Sequence, residues 1–479
     1  MTEGWELGIA EASVLLRRRE LSAAELVESV IGRLEATEDS VHAWAYVDQQ
    51  GARRGALAAD NSARRGEFLG PLHGIPLGVK DVIDVRGMPA EGGSLALKGR
   101  VAPDDAGVVR HLRRNGGVIL GKTVTHEFAF GQGTPPSKNP WGAERYAGGS
   151  SVGSGVAVAV GSAPGTLGTD TGGSVRNPAS VNCLVGLKAT AGLIDGSGVL
   201  NVSHTLDHIG PITRSVADCA AMLQGMVGPS TPGLQEKTVL PEVMPALTRL
   251  AVDRGAWAEW GVTRDVAAVL EQAVLTLEEL GVEIVDVSLP ELKMALPASL
   301  AISLSESVEH HREWLGRSAE RYLQGTRVMI ETGALVPPED IQLARHVRSY
   351  LRSSLRTAMQ NAGIQALVSP TLPSVAPIEA DMSHSLTGST GQDSLSSALM
   401  MLSPANLTGM PGLSIPCGFA AGQPVGMHFL GREFAESNLL GIAHVYERNT
   451  PWHAKVPVRD IVKAENVRSA CVEYHAGRS

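Results

Sequence analysis

The sequence predicts a layered α/β protein, and three observations carry that reading. Short apolar runs bounded by turn residues alternate along the chain with amphipathic segments of helical period. Glycine (54) and proline (27) are spread through the 479 residues rather than pooled, so no disordered linker divides a chain long enough for one large α/β unit or about two to four domains. The run P-L-H-G-I-P-L-G-V-K-D sets a short apolar strand, residues 75–79, directly before a lysine, and a second glycine-rich stretch farther on repeats that change of texture.

Residues 9–36 are expected to be helical, with Leu15, Leu16, Leu26, Val27, Val30, Ile31 and Leu34 recurring at helical intervals. Ser22 and Glu25 make a capping box that opens the second helix of this pair. A third helix, 50–65, is rich in Ala and Arg, and the three together read as a packing layer without chemistry. After the strand at 75–79 come a helix at 104–115, a strand at 118–120 and a Gly/Pro/Asn-rich loop at 125–141. Residues 156–160 are a short helix or strand. Beyond 211 the expected elements are helices at 215–226, 265–280, 303–323, 338–362 and 438–448, with strands at 248–253, 282–287, 366–368, 413–416 and 425–430. This divides the chain into a helical layer (1–66), a central part (67–230), a mostly helical cap (231–365) and a closing part (366–479).

The chemistry concentrates between residues 148 and 176. There G-G-S-S-V-G-S-G and G-T-D-T-G-G-S-V-R place Ser150 and Ser174 in glycine-rich settings, and G-V-K-D upstream supplies Lys80. A serine nucleophile needs a proton acceptor and rigid donors for an oxyanion, and glycines allow the tight backbone that aims N–H groups at one point. A lysine leaving an apolar strand is placed for desolvation, which lowers its pKa from about 10.4 toward the range of a base. Pairing of Lys80 with Asp81 or Asp84 is the open alternative. The pattern reads as a Ser-Ser-Lys hydrolytic site.

Other motifs compete. Residues 116–123, G-G-V-I-L-G-K-T, fit the P-loop pattern, but the variable positions are strand formers and a helix precedes them, so Lys122 is expected to be structural. G-S-S-V-G at 149–153 fits a nucleophile elbow without the preceding strand such an elbow needs. In the 125–141 loop Phe128, Phe130 and Trp141 are candidates for a pocket wall, and His126 reads as a satisfied loop histidine. His310 and His311 lie among Glu309, Arg312 and Glu313 and read as a solvated face, and Arg17, Arg18 and Arg19 as a solvated helix end.

A net charge of −9 with no basic stripe argues against nucleic acid. The four cysteines, Cys183, Cys219, Cys417 and Cys471, have no zinc spacing and suit free thiols in a reducing compartment. No apolar run reaches about 18 residues and the N-terminus lacks a signal layout, so a soluble cytoplasmic protein is expected.

In this order and spacing, G-V-K-D, G-G-S-S-x-G-S-G and G-T-D-T-G-G-S-V-R resemble the amidase signature family. The likeness runs on through D-A-G-V-V-R-H-L, G-V-I-L-G-K-T, N-P-W, G-L-K, T-L-D-H-I-G-P-I-T-R and Q-P-V-G-M-H-F-L-G, over about residues 10–450. The resemblance implies one α/β/α domain with a mixed sheet covered by helices on both faces, and no metal or organic cofactor. It also implies Ser174 as nucleophile, Ser150 as bridging serine in a cis peptide after Gly149, and Lys80 as base. The N–H groups of Thr171, Gly172, Gly173 and Ser174 would form the oxyanion hole, and Phe128, Gly149, Ser151, Trp141 and Arg176 are the candidates to touch substrate, with Arg145 and Arg214 as further possible contacts. Departures from the family pattern are Val152, Asn182, Cys183 and Ala189; none removes a catalytic group, and Cys183 is expected to pack behind the nucleophile turn.

The expected activity is hydrolysis of the C–N bond of a small carboxamide or a ureido- or biuret-type compound through an acyl-enzyme, by a homodimer acting on a small molecule without nucleic acid or membrane. Two other readings stand beside it. One is the amidase component of a tRNA-dependent Glu/Asp amidotransferase, from which T-L-D-H at 205–208 departs. The other is a non-catalytic nucleotide-binding protein using residues 116–123.

Overall fold

In the computed structural model, which describes residues 3–228, 240–382 and 394–457, the strand Pro76–Lys80 is buried along its whole length. Its parallel neighbour Gly165–Asp170 is buried throughout as well, with Val79 paired to Leu167. Buried strands need no alternation of polar and apolar residues, because both faces of the sheet are covered. Lys80 therefore leaves its strand into the protein interior.

In chain order the helices are α1 (Ile9–Arg18), α2 (Ala23–Val41), α3 (Gln49–Arg64), α4 (Gly107–Arg114), α5 (Val152–Ala159), α6 (Arg176–Val181), α7 (Val216–Met226), α8 (Arg254–Glu259), α9 (Arg264–Glu279), α10 (Ala295–Ser318), α11 (Gln324–Gly333), α12 (Pro338–Asn361), α13 (Ser394–Thr408) and α14 (Glu436–Arg448). The strands are β1 (Trp44–Val47), β2 (Pro76–Lys80), β3 (Val118–Thr123), β4 (Gly165–Asp170), β5 (Val185–Lys188), β6 (His208–Thr213), β7 (Arg249–Val252), β8 (Glu283–Asp286), β9 (Ala366–Pro370), β10 (Gly412–Ala420) and β11 (Gln423–Gly431).

They form one mixed sheet of 11 strands in the order β1-β3-β2-β4-β6-β5-β10-β11-β9-β7-β8. β3, β2 and β4 run parallel, β4 to β9 alternate antiparallel, and β9, β7 and β8 are parallel again. Helices cover the sheet: α1, α2, α3 and α4 pack in one apolar cluster with β2 and β3, and α7, α9 and α14 in another with β5, β9, β10 and β11. The mixed α/β sheet expected of the family is therefore present. The segment expected to be a helical cap does more than cover, since its β7 and β8 extend the sheet, while α10 and α12 pack on Leu206 and on Leu407 of α13.

The capping box at the start of α2 is formed, with Ser22 Oγ accepting from Glu25 N and Glu25 Oε2 accepting from Ser22 N. Strands β4, β5 and β6 went unread in the sequence because G-T-L-G-T-D, V-G-L-K and H-I-G-P-I-T carry glycine or proline and no two-residue period, and β1, W-A-Y-V, because four residues are too few to show a period.

The P-loop reading fails on geometry. Residues 118–123 are strand β3, and Lys122 is fully buried, its Nζ 3.1 Å from Asp81 Oδ1 and donating to the Pro89 carbonyl at 2.9 Å. No loop is left there to cradle a phosphate. The solvated face expected at His310 and His311 also needs correction: His311 is buried among Phe128, Phe130, Trp314 and Tyr322, its Nδ1 3.0 Å from the Tyr322 hydroxyl. Among the described residues no helix is long and apolar enough to cross a membrane, and Cys183, Cys219 and Cys417 are free and buried; Cys471 lies outside the described residues.

Candidate active site

The parallel register of β2 and β4 brings Lys80 level with the end of β4. Its Nζ lies 2.7 Å from Thr169 Oγ1 and 2.8 Å from Ser150 Oγ, and the side chain is wholly buried. Burial pushes the ammonium pKa down to about 7, against the pull of the Asp207 and Asp170 carboxylates. Lys80 is thus paired with neither Asp81 nor Asp84: Asp81 takes Lys122 and Asp84 takes Arg100.

Ser150 precedes α5 and follows a cis Gly149–Ser150 peptide. Its carbonyl is held by the His126 N–H at 3.2 Å and the Thr125 hydroxyl at 3.1 Å. A Cβ on Gly149 would stand 2.5 Å from both His126 Cε1 and the Tyr146 hydroxyl, so this crowded position accepts only glycine. The neighbouring Ser151 latches the segment to β4, donating to the Thr169 carbonyl at 3.2 Å and accepting from the Thr169 N–H at 3.3 Å.

Past Asp170 the chain turns through residues 171–175 into α6. The Asp170 carboxylate organises this turn by accepting from the N–H groups of Gly173 (2.8 Å) and Val175 (3.1 Å), while Arg176 closes over it in a fully buried ion pair. Arg176 and the amide of Asn406 hold the Asp170 carboxyl well below the usual carboxylate range despite its burial. Ser174 stands half-buried on the outer side of the turn, with no hydrogen bond from its hydroxyl among the described residues. The N–H groups of Thr171, Gly172 and Ser174 likewise have no partner among the described residues, whereas that of Gly173 is spent on Asp170.

Comparisons with known proteins place the chain as a whole. The amidase family model matches residues 25–440. The chain belongs to the amidase family. It is 37% identical to an amidase of Pseudomonas putida over 94% of this chain and 97% of that one. It is 36% identical to a subunit of glutamyl-tRNA(Gln) amidotransferase from Roseiflexus castenholzii over 95% and 98% of the two chains. A crystal structure of an amidase superposes with a TM-score of 0.83 at 31% identity, covering 92% of this chain and all of the other. The activity class is accordingly that of an amidase, a hydrolase of C–N bonds.

For this amidase-family chain the structure brings Lys80, Ser150 and Gly149 together beside the turn that carries Ser174, but commits other expected substrate contacts elsewhere. Arg176 spends all five guanidinium hydrogens inside the protein, Nε and Nη2 on Asp170, Nη2 on Asn406 Oδ1, and Nη1 on the Leu402 carbonyl and His428 Nε2. Ser151 is the latch just described. Phe128 is buried against Trp314, His311 and Tyr322, and Trp141 packs on Phe419 at the β10–β11 turn. Arg145 donates to the Ala376 carbonyl, and Arg214 to the carbonyls of Trp5 and Leu7. Cys183 donates to the Trp452 carbonyl, and Asn182 pins the Ala147 carbonyl.

Sequence reasoning assigned no role to Thr169, Asp207 or Asn406. Asp207 is buried within T-L-D-H; it accepts from the Thr171 hydroxyl at 2.6 Å and the Val202 N–H at 2.9 Å, and burial raises its carboxyl to about 6. Its motif was visible in the sequence, whereas Asn406, on α13, had no signal at all. Among the described residues no group of His, Cys, Asp and Glu is placed to hold a metal ion.

Proposed function

We propose that this protein hydrolyses a small carboxamide or urea-like compound through an acyl-enzyme on Ser174, with Ser150 as the bridging hydroxyl and Lys80 as the base. The observation that carries the reading is the 2.8 Å contact between Ser150 Oγ and a lysine whose pKa burial pushes down to about 7, so that about half of it is neutral near pH 7. Neutral Lys80 takes the Ser150 proton as Ser150 takes that of Ser174. Ser174 Oγ adds to the amide carbonyl, whose oxygen becomes an oxyanion facing the N–H groups of Thr171, Gly172 and Ser174. Gly173 drops out of the expected donor set, because its N–H is already bound to Asp170. The proton held on Lys80 returns through Ser150 to the leaving nitrogen as the C–N bond breaks, and water then cleaves the ester by the same relay.

The test is ammonia or amine release from a panel of amides, ureido compounds and esters, with wild type beside Ser174→Ala. Loss of one class of activity in the variant supports the reading; equal rates overturn it.

The identity to an amidotransferase component favours a second reading, in which the chain supplies ammonia inside a larger assembly. Copurification with a second, unlike protein chain, with amide activity only in its presence, would establish that reading; a homodimer active alone would exclude it.

A further inference from the structure

One cleft lies against both serine segments. Tyr146, just upstream of Ser150, and Asn177, one helical turn beyond Ser174, form part of its wall, and Leu372, Pro373, Val375 and Ala398 make most of the rest. The cleft and the open solvent at its mouth together take up about 310 Å³. Asn177 is 6% exposed, yet among the described residues its Oδ1 has no hydrogen-bond partner, while its side chain meets the Tyr146 hydroxyl. Buried amide oxygens are nearly always paired, so an orphaned acceptor on the wall of a cleft marks a place where a ligand completes the bonding. The backbone leaves Asn177 little freedom, since its N–H donates to the Gly173 carbonyl at 2.7 Å.

The lining also says what does not bind. Among the described residues no charged side chain lines the cleft, and the charge that reaches Tyr146 is the carboxylate of Glu379. An anionic group would enter without a counter-charge and beside a like one, which its desolvation would not survive. An apolar wall with one free acceptor fits a neutral group that is mostly hydrocarbon and carries one donor.

We propose that this cleft receives the acyl part of the substrate and that Asn177 Oδ1 accepts a hydrogen bond from it. The preferred substrates are then uncharged amides whose acyl group is compact, largely apolar and bears one hydroxyl or N–H. This rests on the hydrolase reading above and narrows it, setting ureido acids and other carboxylates aside.

The experiment uses three amides that share one acyl chain and end in a methyl, a hydroxyl or a carboxylate. Binding to full-length Ser174→Ala is measured by calorimetry and turnover by the protein with Ser174 intact, each repeated with Asn177→Leu and Asn177→Asp added. The hydroxyl amide is expected to bind about ten-fold tighter than the methyl amide, the worth of one neutral hydrogen bond, and the carboxylate weakest. Asn177→Leu removes the ten-fold advantage and leaves the methyl amide unchanged; Asn177→Asp, which keeps shape and acceptor, retains it. A carboxylate that binds best, equal binding of hydroxyl and methyl, or an equal loss on all three in Asn177→Leu overturns the proposal. The expected binding pattern without turnover of any amide would sink the hydrolase reading and leave the cleft's; turnover without the pattern does the reverse.

Discussion

The Arg176 guanidinium grips the Asp170 carboxylate through two contacts, Nε to Oδ2 at 3.0 Å and Nη2 to Oδ1 at 2.9 Å, with neither side chain exposed to solvent. The same carboxylate holds the turn that carries Ser174. Removing the arginine leaves a buried charge without its partner, which costs about 3–5 kcal/mol. Arg176→Gln should lower the stability measured by urea unfolding by that order and abolish activity together with it. Unchanged stability with a loss of substrate affinity alone would return Arg176 to the substrate-binding set.

Ser174→Ala should reduce amide turnover by at least about 10⁴-fold, since the nucleophile and its relay act as a unit. Lys80→Met should cost about 10²–10⁴-fold as the loss of a general base. The far-UV circular dichroism of Ser174→Ala should match wild type, because among the described residues the hydroxyl makes no hydrogen bond.

The proposed base works only when neutral, and burial pushes the Lys80 ammonium down to about 7, so that it is mostly protonated below that pH. The rate kcat/KM should therefore rise with pH through an acid limb near 7 and level off above it. The Asp207 carboxylate acts in the opposite sense to burial, favouring the charged lysine. Asp207→Asn keeps an oxygen for the Thr171 hydroxyl but removes the charge, so the acid limb should move to lower pH. A limb that stays in place would show that Asp207 does not reach Lys80.

Gly173 sits at φ +129°, and a Cβ there would stand 2.3 Å from Leu402 Cδ1 and 3.0 Å from Leu402 Cβ, on a side chain that is itself buried. Gly173→Ala should destabilise by about 1–3 kcal/mol and displace the serine turn, with a larger loss in kcat than in stability. Leu402→Ala combined with it should recover part of the folding loss by opening the space the methyl needs.

Much of this was legible in the chain itself. Periodicity placed α2, α9, α12 and α14 within a few residues, because helices that bury one face leave a 3.6-residue signature. Glycine-rich settings singled out Ser150 and Ser174, and an apolar run singled out Lys80, because each feature is local. Local signals also misled. A basic residue in the nucleophile motif looked free to meet a substrate, and aromatic residues on a loop looked like a pocket wall, because sequence shows what a side chain is and not what already occupies it.

Tertiary structure decided those occupancies. Arg176 finds its acceptors on Asp170, Leu402, Asn406 and His428, three of them more than two hundred residues away, and Phe128 finds an aromatic cluster on α10 and beyond. Whether Lys80 is neutral depends on the parallel pairing of β2 with β4, which seals it from water beside Thr169 and Ser150. The sequence by itself determined the α/β class and the family and singled out the side chains proposed to carry the chemistry, since these follow from short-range pattern. Which donors remain free, which charges are cancelled and where an unpaired acceptor lines a cleft depend on long-range packing, because burial and hydrogen bonding are properties of neighbours that only folding supplies.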